Sequence, residues 1–284
     1  MSDHAKGLLF TTLAMLVITP DALLIRLVET DVWTLTFWRG VLSATGLLIG
    51  IALFYRRRFF AVMLAPGIPG LWIGGLFGVT TVIFVWGITH TSAANTLLII
   101  STGSMFAAGF SWLILKEVLA RRTVLAIAGT LVGLLIIVGG DLGGGSLEGD
   151  LAALAVAAFS GLNFTLIRRY AVTDMVPTLT FGGIVTAVIA LLVSAPVALH
   201  GTDPINITGM SLVMLPLAFA LQFIGARYLP APEVSLFFLL EAVLAPLLVW
   251  AVINEHPGTQ TFYGGAVIIT ALALHAVWGL RRVR

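Results

Sequence analysis

The chain has 284 residues, of which 59% are hydrophobic and 10% charged, with a formal net charge of +2 and a mean hydropathy of +1.08. Soluble domains carry about 25% charged residues, so this composition excludes a soluble globular fold. The absence of cysteine excludes disulfides and thiolate metal sites.

Apolar runs between polar punctuation predict ten membrane spans, each of about 20 residues. In the first half they are Lys6–Val28, Thr34–Phe54, Gly67–Ile88, Ala93–Leu115 and Val124–Gly140. In the second they are Gly149–Ile167, Thr178–Leu199, Gly209–Gly225, Pro232–Ile253 and Phe262–Leu280. No small-residue cleavage site follows the first run, which reads as an uncleaved helix. Between Phe59 and Leu115 there is no Asp, Glu, Lys or Arg, and only a polar turn from His90 to Asn95 interrupts the run. Backbone groups in lipid must be satisfied within each segment, so the spans are expected to be helices. The glycine-rich stretch Asp141–Ser146 reads as a joint. It is not a phosphate loop, because no Gly-Lys-Ser/Thr closes it.

The two sides of that joint align. Val32-Trp33-Thr34-Leu35-Thr36-Phe37 returns as Val176-Pro177-Thr178-Leu179-Thr180-Phe181, Gly7–Arg26 matches Gly149–Arg168, and Ala93–Glu117 matches Ala231–Glu255. The chain reads as a duplication, with residues 1–141 and 142–284 as its two five-span units. A cytoplasmic N-terminus puts Lys6, Arg56, Arg57, Arg58, Lys116, Arg121, Arg122, Arg168, Arg169, Arg227, Arg281, Arg282 and Arg284 on the inner side. Only Arg26 falls outside, and Arg39 lies within a span. This asymmetry sets the orientation. Five spans per unit is an odd number, so the second unit enters inverted and both termini are cytoplasmic. The basic pI of about 9.3 then reflects topology and anionic lipid, and no nucleic-acid surface is expected.

Ten spans in a 5+5 inverted repeat resemble the drug/metabolite transporter superfamily, in particular its EamA-type members. The resemblance is carried by Thr34-Leu35-Thr36-Phe37-Trp38-Arg39-Gly40 and by spans four and nine ending in Lys116-Glu117 and Asn254-Glu255. Glycine-rich spans five and ten add Gly129, Gly133, Gly264 and Gly265. It covers nearly the whole chain and implies a central cavity bounded chiefly by spans one, three, four, six, eight and nine, with alternating access. It leaves the substrate open among amino acids, vitamins, nucleotide-sugars and other metabolites.

Ionisable groups inside spans are functional candidates by default, and Asp21, Arg39 and Glu241 qualify. Asp21 and Arg39 lie about 10 Å below the outer surface at roughly 1.5 Å rise per residue, so they are expected to pair. The pair either holds two helices together or forms an outer gate or substrate contact. Glu241, near the middle of span nine, faces the repeat counterpart Gly103 with Ser101 and Ser104 around it. A carboxyl there suits a substrate amine or a transferable proton, or else bonds a neighbouring helix. Asn163 and Gln222 offer a neutral inner counterpart to the outer pair. Trp38 and Trp86, with Phe84, Phe159 and Tyr228, offer stacking surfaces, although interface belts account for many such rings. Gly74/Gly78 and Gly129/Gly133 read as close-packing pairs, and Pro246 as a point where span nine loosens. No catalytic residues, cofactor or metal site are expected, because hydrolase and protease motifs are missing.

The reading is a monomeric secondary transporter of the bacterial inner membrane, exporting small amphipathic metabolites such as amino acids, with protons as the coupling ion under consideration. Uptake or exchange of a vitamin or nucleotide-like solute stands second. A membrane-embedded enzyme or accessory subunit is the reading from another class.

Overall fold

The computed structural model describes residues 2–90, 93–117, 120–138, 146–253 and 259–281, mostly helical, with no strand among them. Most of the expected joint at Asp141–Ser146 and the end of span nine at Asn254-Glu255 lie outside the described residues. The side chain of Asn95 does too.

Span one is two helices, α1 (Asp3–Ile18) and α2 (Asp21–Arg26). Ser2 caps α1 by accepting the Ala5 N–H at 3.3 Å. Pro20 cannot donate to the ladder, so the helix breaks before it, and the Thr19 hydroxyl bonds the Met15 carbonyl at 2.7 Å. The long α3 (Val32–Tyr55) starts at Asp31, whose carboxylate accepts the Trp33 and Thr34 N–H groups at 3.0 Å each. A tight turn and α4 (Phe59–Leu64) lead to α5 (Gly67–His90).

Span four is α6 (Ala93–Ser101) and α7 (Gly103–Phe110), extended by a π-helical stretch at Ser111–Leu115. Its break is a three-residue step, Thr102 N–H to the Ile99 carbonyl at 3.0 Å and Met105 N–H to the Thr102 carbonyl at 2.9 Å. Next come α8 (Arg121–Val138), α9 (Leu147–Arg169) and α10 (Thr178–Val193). Span eight is α11 (Asp203–Thr208), a π-helical stretch at Gly209–Met214, and α12 (Leu215–Tyr228), longer at both ends than the apolar run suggests.

Span nine is α13 (Ala231–Leu236) and α14 (Phe238–Ile253), and α15 (Thr259–Arg281) follows. The expected loosening at Pro246 is corrected, since α14 runs unbroken across it. The break lies at Phe237 instead, with the same step: Phe237 N–H to the Val234 carbonyl at 3.1 Å, Leu240 N–H to the Phe237 carbonyl at 2.9 Å.

Six helical runs are long and apolar enough to cross a membrane by length and composition: Asp3–Arg26, Val32–Leu64, Gly67–His90, Leu147–Arg169, Asp203–Tyr228 and Ala231–Val252. Ile99–Leu115, Thr123–Gly133 and Thr178–Val193 are shorter apolar helices. The outer surface is itself apolar. Phe54, Phe60, Leu64, Trp72 and Leu192 are each more than 70% exposed, and a soluble chain rarely leaves such contiguous patches in water.

α1 packs along α12, and α5 along α9; α3 packs on α10, and α8 on α15. Lipid provides no hydrophobic drive between helices, so close contact depends on small residues. A Cβ on Gly40 would lie 2.6 Å from the Gly183 carbonyl oxygen, and one on Gly183 would lie 2.8 Å from the Gly40 oxygen. Gly74 and Gly78 admit the Thr178 and Gly182 carbonyls of α10, and Gly133 admits that of Gly264.

Polar contacts gather at the two ends of the bundle. At one end, the Arg168 guanidinium donates to the Arg227 carbonyl at 2.9 Å, the Arg227 Nε to the Ala171 carbonyl at 3.0 Å, and the Tyr55 hydroxyl to Asp174 at 3.1 Å. At the other, the Glu29 N–H donates to Asp203 at 3.1 Å and the Ser146 hydroxyl to the His90 carbonyl at 2.8 Å.

Candidate functional site

A cavity lies among α1–α3, α5, α6, α9, α12 and α14. Helical periodicity decides which side chains reach it. On α5 the lining residues are Phe77, Thr80, Thr81 and Phe84, spaced i, i+3, i+4, i+7 along one face. On α9 they are Val156, Ser160, Asn163 and Phe164, and on α12 Phe219, Gln222 and Phe223. Leu97 and Ile100 come from α6, Phe238 and Glu241 from α14, and Ile18, Asp21 and Arg39 complete the wall.

Asp21 and Arg39 meet in a bidentate pair, Nη1 to Oδ1 at 2.7 Å and Nη2 to Oδ2 at 3.0 Å. Each residue is 1% exposed, and Nη1 also contacts the Met210 sulfur at 3.1 Å. The break at Pro20 places Asp21 in the first turn of α2, where the helix N-terminus favours a carboxylate. Fork-to-fork geometry uses both carboxylate oxygens. Glu241, 4% exposed, sits in the first turn of α14 just past the Phe237 break, within electrostatic reach of both partners.

The amides differ in role. Asn163 donates from Nδ2 to the Ile73 carbonyl at 2.9 Å, which fixes the amide with Oδ1 as its free acceptor. That Oδ1, Gln222 Nε2 and Arg39 Nε are buried without a hydrogen-bond partner among the described residues. Six phenylalanines supply the apolar wall. Phe77 meets Phe219 and Phe223 edge to face at 4.8 and 5.6 Å, and Phe164 lies 5.8 Å from Phe238.

The structure therefore brings together Asp21, Arg39, Asn163, Gln222 and Glu241. It does not bring Trp38, Trp86, Ser101 or Ser104 to the cavity wall. Trp38 follows Phe37 on α3, a turn of roughly 100° away from Arg39, and packs half-buried on the core. Trp86 points away from the Phe77–Phe84 face and stacks on His90 at 4.1 Å. Ser101 and Ser104 are buried beside the break in span four, with the Ser104 hydroxyl 3.4 Å from the Ser101 carbonyl. Of the lining aromatics, sequence reasoning named Phe84 alone. The i, i+3, i+4, i+7 stripes containing Asn163 and Gln222 were the signal for the rest.

Sequence reasoning also missed a second polar cluster, away from the cavity. Glu233, 1% exposed, accepts from the Thr123 hydroxyl at 3.4 Å and meets His4 Nε2 at 3.0 Å. It ties α1, α8 and α13 together. No group of three or more His, Cys, Asp or Glu among the described residues is placed to hold a metal ion.

The sequence profile of the EamA-like transporter family matches residues 5–139 and 147–277. An uncharacterized transporter of Archaeoglobus fulgidus is 27% identical over 66% of this chain and 62% of its own length. The uncharacterized transporter YyaM of Bacillus subtilis is 29% identical over 64% of each. The alignments thus span a little under two thirds of these curated relatives. One solved crystal structure superposes with a TM-score of 0.80 at 20% identity over 98% of both chains, a likeness of fold. Long apolar helices around a buried cavity mark a multi-pass membrane protein. The chain belongs to the EamA-like transporter family.

Proposed function

We propose that the chain is a monomeric secondary active transporter that exports small amphipathic metabolites of the amino-acid type across a bacterial inner membrane. In this reading ten helices span the bilayer as two inverted five-helix units, residues 1–141 and 142–284, with both termini in the cytoplasm. Exchange-related packing supports the inversion, since α1 on α12 and α5 on α9 swap roles when the two units are interchanged. The grouping of Arg168, Arg227 and Tyr55 contacts at one end and of Glu29, Asp203 and His90 contacts at the other supports the alternation of loops.

The observation that carries the function is the cavity itself. Seven of the ten proposed spans converge on one space that combines an apolar aromatic wall with an unpaired carboxyl group. Alternating access follows when the broken helices α1/α2, α6/α7 and α13/α14 pivot at Pro20, Thr102 and Phe237 while the unbroken ones hold the frame. Glu241 is the coupling residue, binding a solute amine on one side and a proton on the other. A permanently charged state at that depth is costly, so one of the two cations accompanies it through each cycle. Proteoliposomes test this. Glu241→Gln should insert and fold as the parent does, yet lose flux or its pH dependence. Unchanged flux, affinity and pH profile would remove Glu241 from the mechanism.

A further inference from the structure

The hydrogen-bonding groups of the cavity define what kind of head group it accepts. Of its lining residues, Asp21, Arg39 and Glu241 alone are ionisable. Asp21 and Arg39 neutralise each other in a bidentate pair that engages both carboxylate oxygens and both terminal guanidinium nitrogens, and Nη1 also contacts Met210. On the guanidinium, Nε and the second N–H of Nη2 keep no partner among the described residues. Glu241, by contrast, makes no hydrogen bond among the described residues and is buried. Asn163 Oδ1 adds a fixed acceptor, because Ile73 holds the other end of that amide. On the donor side stand the Gln222 Nε2 amide nitrogen, with two N–H groups, and the remaining Arg39 N–H groups.

The cavity therefore offers a charged acceptor, a neutral acceptor and several N–H donors, whose one cation, Arg39, is already neutralised by Asp21. An ammonium satisfies the acceptors with its three N–H groups. A neutral carbonyl, ester or hydroxyl oxygen satisfies the donors. A carboxylate would meet only a cation already neutralised by Asp21, beside the further acid Glu241, so its desolvation goes largely uncompensated. Six phenylalanine rings line the site, and an aromatic ring attracts a cation over its face where it repels an anion. Resting on the cavity as the transport site, we infer that the solute is an apolar or aromatic amine with one net positive charge and a neutral acceptor. Amides, esters and amino alcohols derived from amino acids fit this description. The free zwitterion is discriminated against.

Binding to the purified full chain in nanodiscs tests this by calorimetry with three probes that share one aromatic body: phenylalaninamide, phenylalanine and 3-phenylpropionate. We expect the amide to bind at least about tenfold tighter than the zwitterion, the value of one charge-assisted hydrogen bond, and the acid to bind more weakly still. In Glu241→Gln the amide should lose that advantage, and Asn163→Leu should shrink it by a smaller factor. The affinity ratio is read on the unsubstituted chain, so it stands whether or not a variant folds. Equal or tighter binding of phenylalanine that is weakened by Phe84→Ala or Gln222→Leu overturns the amine assignment and leaves the cavity as the transport site. Binding of all three probes that ignores every cavity substitution overturns both, as does the lack of any binding by a folded chain.

Discussion

Removing either member of the Asp21–Arg39 pair should cost more than removing both. The two side chains are 1% exposed and joined by bonds of 2.7 and 3.0 Å. Breaking a buried pair by deleting one partner leaves an uncompensated charge and costs about 3–5 kcal/mol. The two singles are not equivalent, because Glu241 feels both partners. Asp21→Asn leaves Arg39 facing one remaining carboxyl group, so its cost should sit at the lower end of that range. Arg39→Gln leaves two carboxyl groups and no cation, so its cost should sit at the upper end. The double variant keeps two neutral amides of similar shape and should lose only about 1–3 kcal/mol, the scale of imperfectly matched buried polar groups. The implied coupling is several kcal/mol, far beyond the few tenths expected of independent sites. Unfolding titrations of the four proteins in mixed detergent micelles measure each stability. Additive losses, or Arg39→Gln milder than Asp21→Asn, would refute the reasoning.

Close packing gives a prediction with its own control. A Cβ on Gly46 would sit 2.1 Å from the Leu212 carbonyl oxygen, while Gly50, one turn on, has nothing within 4 Å; Gly46→Ala should lose roughly 1–3 kcal/mol in the same titration and Gly50→Ala next to nothing, so equal effects would disprove the contact. Reporter fusions after Arg58, Lys116 and Arg169 should read cytoplasmic and a fusion after Asp31 periplasmic; a periplasmic Arg58 would overturn the inverted arrangement. At the start of α3, Asp31→Ala should cost about 1 kcal/mol as a lost helix cap. Burial raises the Asp31 carboxyl's pKa, but bonds from Thr34 and Trp33 outweigh it and hold it below the usual 3.8. The cap is therefore complete above that pH and lost as the medium becomes more acidic. A melting temperature difference between the two proteins that persists well below pH 3 would contradict it.

Much of the frame is legible in the sequence because lipid leaves the backbone few choices: apolar runs become helices, and charges mark their ends. The meeting of Asp21 with Arg39 follows from their equal depth on consecutive spans. The faces of the helices are less legible. Trp38 and Arg39 are adjacent in sequence, yet only Arg39 lines the cavity, and rotation about an all-apolar helix is settled by tertiary packing. Breaks are harder still. Pro20 marks one, but α14 passes through Pro246, while Thr102 and Phe237 break without any proline. Their three-residue hydrogen-bond steps arise from contacts the local sequence does not encode. Glu233 was lost for a related reason, because its partners His4 and Thr123 come from distant helices.

The glycine seam between α3 and α10 also governs how the chain can drift over generations. At Gly40 and Gly183 each backbone occupies the space a side chain would need on the other. A larger residue on either helix cannot be rescued by trimming its neighbour, because the neighbour has nothing left to trim. Positions such as Phe54 and Leu192, 82% and 81% exposed, touch little of the protein, so one apolar residue should serve there as well as another. A saturation-mutagenesis survey of the gene should therefore show a chain divided lengthwise, with intolerance in a narrow stripe down the seam and near indifference on the lipid face of the same helices. Substitutions tolerated at Gly40 and Gly183 as freely as at Phe54 and Leu192 would show that no such stripe exists.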